Sequence, residues 1–304
     1  MELDHVEAFL AIARSGGFAR GSAALHLSQP ATSRRIQLLE TELGAPLFDR
    51  VARGVTLTEA GRAFMPHAQA ILASMRDGID AVNSVRGTEH GSVTLALVGT
   101  LASSSLTAML SQLCKAHPGL DLRLQTALSA EVSALVLRGD VALGLRYDTD
   151  PDPGLVSLII HHERLVPVCS ADHALAAADT DLAAGLAGQR WLAFASRTGD
   201  PYALALQQLL AAHGLGAAEV LPVDSLTAQK RMAEAGFGLA ILPESSLDEE
   251  FRAGTLRPIN APGLTATIPV ALIRRRNAFQ TGAARVLTAA LTDWPHKPST
   301  SAHQ

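Results

Sequence analysis

Phe18-Ala19-Arg20-Gly21-Ser22-Ala23-Ala24-Leu25-His26-Leu27-Ser28-Gln29-Pro30-Ala31-Thr32-Ser33-Arg34-Arg35-Ile36-Gln37-Leu38-Leu39 is the stretch on which the reading of this 304-residue chain turns. Phe18 to Leu25 makes a short helix. Leu27 leads into Ser28, a good helix N-cap, and Pro30 falls in the following first turn, where its missing N–H costs nothing. Thr32, Ile36 and Leu39 then form one inward face, while Gln29, Ser33, Arg34 and Gln37 lie on the opposite one. Upstream, Val6, Phe9, Leu10 and Ala13 recur at helical spacing until Ser15-Gly16-Gly17 ends that helix. A second helix set behind a tight turn, with amide and guanidinium groups outward, is what the major groove requires, because such groups bond base edges in pairs. The same face also suits a solvated side of an ordinary three-helix unit.

Working outward, Leu43-Gly44-Ala45-Pro46-Leu47-Phe48 is a turn-containing stretch too short for a helix. Arg50 to Leu57 alternates like a strand around Gly54 and predicts a wing of two short strands. Arg50 and Arg53 flank it, where a narrow minor groove or phosphates would attract them. Thr58-Glu59-Ala60-Gly61 opens a long helix in which Ala68, Ile71, Met75, Ile79, Val82 and, less regularly, Val85 recur at about three and four residues. That spacing fits a two-helix seam between copies, or a helix packed on its own domain.

The whole chain is 48% apolar and 4% aromatic, which predicts about two domains with aliphatic cores. A net charge of −4 removes any case for nucleic-acid binding from bulk charge, so such a role must come from a local site. Residues 1–86 hold nine arginines and nine acids, and the excess of acids lies downstream. Two cysteines, Cys114 and Cys169, form no metal-spaced or CxxC motif, which predicts a reducing, cytoplasmic setting. Met1-Glu2-Leu3-Asp4 starts no secretory signal, and the charge-free run Gly91 to Cys114 carries too many hydroxyls for a membrane span. The polar, glycine-flanked stretch 87–91 reads as a hinge, and 295–304 as a disordered tail.

From Val93 onward, strand and helix patterns alternate. Val93–Val98, Leu120–Thr126 and Val141–Leu145 are expected strands, with helices at Leu101–Lys115 and Ala130–Leu137. A second series follows, with strands at Leu165–Cys169, Arg190–Phe194, Val220–Val223, Leu239–Leu242 and Pro269–Arg274. Its helices are Tyr202–His213, Leu226–Ala235 and Gln280–Leu291. The pattern predicts an α/β domain of two lobes, a parallel sheet covered by helices, with a cleft between the lobes. Thr100, at a strand end, and Ser103, Ser104 and Ser105, at a helix start, offer hydroxyls and free N–H groups to a carboxylate or similar anion. Those hydroxyls could equally serve as a plain helix cap.

From Phe18-Ala19-Arg20 through Leu25 to Ile36, then Leu38-Leu39-Glu40, Leu43-Gly44, Leu47-Phe48-Asp49-Arg50 and Leu57-Thr58-Glu59-Ala60-Gly61, the chain closely resembles the winged helix-turn-helix of LysR-type transcriptional regulators. Glu234-Ala235-Gly236-Phe237-Gly238-Leu239-Ala240-Ile241-Leu242-Pro243-Glu244 resembles that family's second-lobe segment. The resemblance implies a winged helix-turn-helix at 1–58, a linker and dimerisation helix at 59–86, and an α/β effector domain at 92–294 like type 2 periplasmic binding proteins. It implies a dimer or tetramer on promoter DNA, a small-molecule effector and contact with RNA polymerase, with no catalysis and no cofactor. Gln29, Pro30, Ser33 and Arg34 match the recognition helix, Arg50 and Arg53 the wing, and Thr58 the phosphate-contacting start of the linker. Arg35 and Gln37 complete the candidate DNA set. Effector contacts are implied at Thr100, Ser103 and Ser104, at Leu128 and Ser129, at Arg146 after the third strand, at Phe194, Thr198 and Pro201, and at Leu226 and Thr227. Arg146 is then the one expected counter-charge for an anion, unless it is a surface arginine paired with Asp148. Gly21-Ser22 stand where the family usually has alanines, and a helical glycine costs about 1 kcal/mol, which predicts a weak second helix.

Other chemistry is absent from the motifs. His161-His162 are neighbours on an expected strand and point to opposite faces, so one metal cannot readily take both. There is no GxSxG, P-loop or GxGxxG. Arg274-Arg275-Arg276 is a basic run that fits a solvated strand end better than a DNA contact.

Overall fold

A computed structural model describes residues 1–51, 54–84, 91–176, 186, 188–194, 200–261 and 263–294. Residues 87–90 of the expected hinge, the tail from 295, Val85, Arg53, Thr198 and the side chain of Arg50 lie outside the described residues. The chain divides into two units, one of Met1–Arg86 with Leu137–Asp140 and Asn277–Phe279, the other of the remainder.

In the first unit, α1 (Leu3–Ser15), α2 (Phe18–Ala24) and α3 (Gln29–Leu43) follow the capping signals. Gly16, at φ 65°, ends α1 by donating its N–H to Ile12 O, a left-handed geometry that glycine adopts without strain. Ser28 Oγ accepts from Ala31 N and starts α3. Val6, Phe9, Ile12, Ile36, Leu39 and Leu47 form a buried core, and Phe9 meets Phe48 and Phe64 at ring-centroid distances of 5.3 and 5.2 Å. The strands β1 (Phe48–Val51) and β2 (Gly54–Leu57) pair antiparallel as the wing, with Phe48 opposite Leu57.

The surroundings of Gly21 give a reason for glycine in α2 that helix propensity alone does not. A Cβ at Gly21 would stand 2.8 Å from Ile12 Cγ1 and 2.9 Å from Ile12 Cα. The absent side chain is therefore what lets α1 and α2 approach. Ser22 is buried beside it and donates its hydroxyl to Phe18 O at 2.8 Å.

The helix α4 (Glu59–Ser84) carries the long apolar stripe, and the stripe splits. Ala68 and Leu72 are buried in the core of the first unit, with Phe64, Met65 and Ile71 packed against it. Ile79 and Val82 are 53% and 66% exposed.

The second unit contains β3 (Gly91–Val98), α5 (Ser104–Ala116), β4 (Leu120–Ala127), α6 (Ser129–Leu137), β5 (Leu143–Tyr147) and the long β6 (Leu155–Ser170). It continues with β7 (Trp191–Ala193), α7 (Pro201–Ala212), β8 (Val220–Pro222), α8 (Leu226–Glu234), β9 (Leu239–Pro243), α9 (Asp248–Ala253), β10 (Leu256–Pro258), β11 (Ala266–Arg275) and α10 (Gly282–Thr292). One sheet runs β4-β3-β5-β11-β6-β9-β7-β8, with β10 on β6. Within each lobe the strands are parallel, as expected: β3 with β4 and β5, and β7 with β8 and β9. The all-parallel expectation fails at the junction, where β11 pairs antiparallel with β5 and β6, and β6 with β9. β6 is thus shared by both lobes. Its second half, Leu165–Cys169, was the expected strand, whereas the first half exposes Leu158 and Ile159 and lacks a buried-strand pattern.

Candidate DNA interface and effector cleft

On α3, Thr32, Ile36 and Leu39 are buried, and Gln29, Pro30, Arg34 and Gln37 are exposed, with Ser33 half-buried. Thr32 donates its hydroxyl to Ser28 O. Side chains on the outer face, by contrast, make no hydrogen bond or ion pair with described residues. Arg35 belongs to neither set, because its guanidinium binds Asp4 Oδ2 at 2.7 Å and ties α3 to α1. Thr58 is likewise engaged internally. Its hydroxyl donates to Pro46 O at 2.7 Å and accepts from Gly61 N at 2.9 Å, so it caps α4.

Between the lobes of the second unit lies a cavity of about 790 Å³. It brings together Thr100, Ser103, Ser104 and Leu128 from one lobe and Phe194, Leu226 and Thr227 from the other. Three expected contacts are not on its wall. Ser129 and Arg146 are buried and do not line it, and Pro201 sits between the lining residues Asp200 and Tyr202. The strand boundary explains the case of Arg146. β5 runs to Tyr147, two residues beyond the expected end, so Arg146 lies inside a fully buried strand. Its guanidinium donates to Ser133 Oγ at 2.9 Å, to Tyr147 O at 3.2 Å and to Asp150. Asp148 is not its partner.

The hydroxyls expected to meet a ligand have local partners as well. Thr100 Oγ1 donates to Tyr147 OH at 2.9 Å, and Tyr147 stacks on Tyr202 at 5.5 Å. Ser103 caps α5 by accepting from Leu106 N, and Ser104 Oγ donates across the cleft to Asp248 Oδ2 at 3.3 Å. Ser245 on the opposite wall is held by Glu163, whose two carboxylate oxygens accept from Ser245 N at 3.2 Å and Ser245 Oγ at 2.7 Å. Burial raises the Glu163 carboxyl above its ordinary range, and these two bonds only partly oppose the shift.

Sequence reading missed the charged lining. Glu131, Asp200, Asp224, Asp248 and Glu249 reach the cavity, with Lys230 as the cation among the described lining residues. Lys230 Nζ is already paired with Glu250 at 2.8 Å and donates to Ser246 O. The overlooked signal was capping. Asp200 precedes Pro201 and accepts from Tyr202 N, Ser225 accepts from Ala228 N, and Glu131 accepts from Leu128 N. Caps mark helix starts, and in this domain helix starts face the cleft.

A winged helix-turn-helix joined to a two-lobed domain with a ligand-sized cleft defines a DNA-binding regulator that senses a small molecule. The model for the bacterial regulatory helix-turn-helix protein, lysR family, matches residues 3–62, and that for the LysR substrate binding domain matches residues 86–295. The transcriptional regulator ShiR of Corynebacterium glutamicum is 31% identical over 294 residues, 96% of this chain and 97% of that one. Full-length OxyR from Pseudomonas aeruginosa aligns with a TM-score of 0.71 at 20% identity, covering 96% of this chain and 94% of its own. CbnR in complex with its target DNA aligns at 0.63 and 24% identity, covering 97% and 100%. The chain belongs to the LysR family of DNA-binding transcriptional regulators, whose members are not enzymes. None of its described helices is long and apolar enough to cross a membrane.

Proposed function

We propose that this regulator acts in the cytoplasm and reads its operator with the outer face of α3, binding as a dimer of dimers and altering DNA bending and contact with RNA polymerase when a ligand closes the cleft. The observation that carries the reading is the α3 face itself, where Gln29, Ser33, Arg34 and Gln37 have no bond to described residues while their inward neighbours are packed. Polar groups left free in a row on a capped helix are available to base edges. Support for the mode of binding comes from CbnR, a relative solved on its target DNA. The test uses a duplex selected by the wild-type chain from a random library. Gln29→Ala and Arg34→Ala should each weaken binding by about 1 to 3 kcal/mol at matched salt. Unchanged affinity in both variants contradicts the assignment.

For the effector, the start of α5 still offers the first-turn N–H groups of Ser104 and Ser105 to an anionic group. Arg146 does not contribute, and the carboxylates of Glu131, Asp200, Asp248 and Glu249 disfavour a second negative charge. We infer a small effector with a single anionic group and a neutral or positively charged remainder. A melting screen of the full chain against monocarboxylates, dicarboxylates and amino acids tests this. A bound ligand at a hundredfold excess over Kd contributes about 2.7 kcal/mol. A dicarboxylate giving the largest shift contradicts the charge argument.

A further inference from the structure

A second recess, of about 390 Å³, opens in the first unit between the α1–α2 turn, the start of α3 and the wing. Its described wall includes Gly16, Gly17, Arg20, Gln29, Ser33 and Gly54, with no carboxylate among the described lining residues. Two of these, Gln29 and Ser33, also belong to the reading face of α3, so the recess is continuous with that face. Arg20 is exposed and, like Arg34, makes no hydrogen bond or ion pair with any described residue. The contrast with its neighbours is informative: Arg35 binds Asp4 at 2.7 Å and Arg62 donates to Leu57 O at 2.7 Å.

The glycines define where the free guanidinium sits. A Cβ at Gly16 would lie 3.2 Å from a terminal guanidinium nitrogen of Arg20, and one at Gly17 would lie 3.9 Å from its Nε. The guanidinium therefore lies across two residues that have no side chain to cover it. Gly16 also fixes the far wall, since its carbonyl accepts from Val55 N at 3.3 Å and a Cβ at Gly54 would stand 2.5 Å from that oxygen. Bare backbone at Gly16 and Gly54 keeps the wing drawn against the α1–α2 turn and leaves the recess open.

We propose that this recess seats one backbone phosphate of the bound duplex, with Arg20 as its cationic ligand. The inference rests on the α3 reading above and adds a contact outside α3, the wing arginines and the start of α4. A guanidinium is a planar fork of donors that matches phosphate oxygens two at a time. A phosphate held beside Gln29 and Ser33 carries no sequence information, but it sets the register at which α3 enters the groove.

The experiment measures binding of the full chain to a labelled 40-base-pair duplex of arbitrary sequence, and to the selected operator, across a salt series. Loss of one phosphate contact lowers the slope of log K against log salt by about 0.9. Arg20→Ala should show that decrease once for each protomer bound on both duplexes, with affinity down by a similar factor on each, about tenfold per contact, and an unchanged melting temperature. Arg20→Lys should keep the slope, because the charge remains. An unchanged slope in Arg20→Ala overturns the proposal, as does a loss confined to the operator. Arg34→Ala run in parallel separates the two failures. If it loses affinity while Arg20→Ala does not, only the phosphate seat is wrong. If neither variant changes binding, the α3 reading fails with it.

Discussion

Arg146 and Asp150 form a buried ion pair on one turn of chain, β5 leading into Asp150, and Ser133 of α6 completes it by accepting from the same guanidinium. The side chains are 7% and 14% exposed, so Arg146 above all recovers little hydration if its partner is removed. A residue whose type and position suggested a ligand contact is instead a brace between β5 and α6.

Removing either partner should therefore destabilise the effector domain by about 3 kcal/mol, the usual order for a buried charge left alone. Arg146→Ala and Asp150→Ala should both lower the melting temperature of the ligand-free chain. The carboxyl of Asp150 is burdened by burial, yet bonds from Ser133 and the Asp152 backbone, with the charge of Arg146, hold it below 3.8. A depressed acid contributes stability that is complete above 3.8 and lost as pH falls through the folded value, so the wild-type advantage over Asp150→Ala should shrink on strong acidification. A wild-type melting temperature in Arg146→Ala, with a lost ligand shift, would restore Arg146 as a ligand contact.

Glu163 should act in the opposite direction. Burial raises its folded pKa above the ordinary 4.5, so between that value and the folded one the native state holds a proton that the unfolded chain has released. Its contribution is greatest below 4.5 and declines as pH rises through the folded value. Glu163→Gln keeps an acceptor for Ser245 without a titrating group, and its stability should decline less than wild type over that range in a pH series of denaturant melts. Parallel curves for the two chains would contradict the role given to burial.

The exposed half of the α4 stripe predicts where copies meet. Ile79→Glu with Val82→Glu should reduce the assembly by sedimentation while both units stay folded, because both side chains are more than half exposed and neither belongs to the buried core of the first unit. Ile71→Glu is a different experiment, since Ile71 packs against the core of the first unit and its replacement should unfold that unit. An unaltered oligomer in the double variant moves the interface elsewhere.

At Gly21, two rules give opposite signs. Helix propensity says that Gly21→Ala stabilises by about 1 kcal/mol, whereas the 2.8 and 2.9 Å approaches to Ile12 say that a methyl overpacks the α1–α2 contact and destabilises by about 1 to 3 kcal/mol. Thermal or denaturant melting gives the sign directly, and the structure predicts loss.

Gly21 also shows the limit of local reading. Caps, turns and periodic faces are local, and they were legible: Ser28 and Pro30 opening α3, Gly16 closing α1, and the two wing strands around Gly54. Long-range contacts were not. Ile12 against Gly21, β6 crossing both lobes, and the short helix α9 depend on partners far along the chain. In the cleft, Thr100, Ser103, Leu128, Phe194, Leu226 and Thr227 were anticipated and do converge, but the carboxylates were overlooked because each reads locally as a cap or a surface charge. A two-residue error in the end of β5 was enough to move Arg146 from the wall to the interior.

The most direct test of sequence-specific reading by α3 is to incubate the full-length chain with fragmented genomic DNA from its own organism and sequence what it retains. The account predicts a defined motif with two related half-sites about one helical turn apart, retained by the wild-type chain and lost from the profile of the Gln29→Ala, Arg34→Ala double variant. Retention of fragments without a shared motif, or the same motif recovered by the double variant, would contradict it.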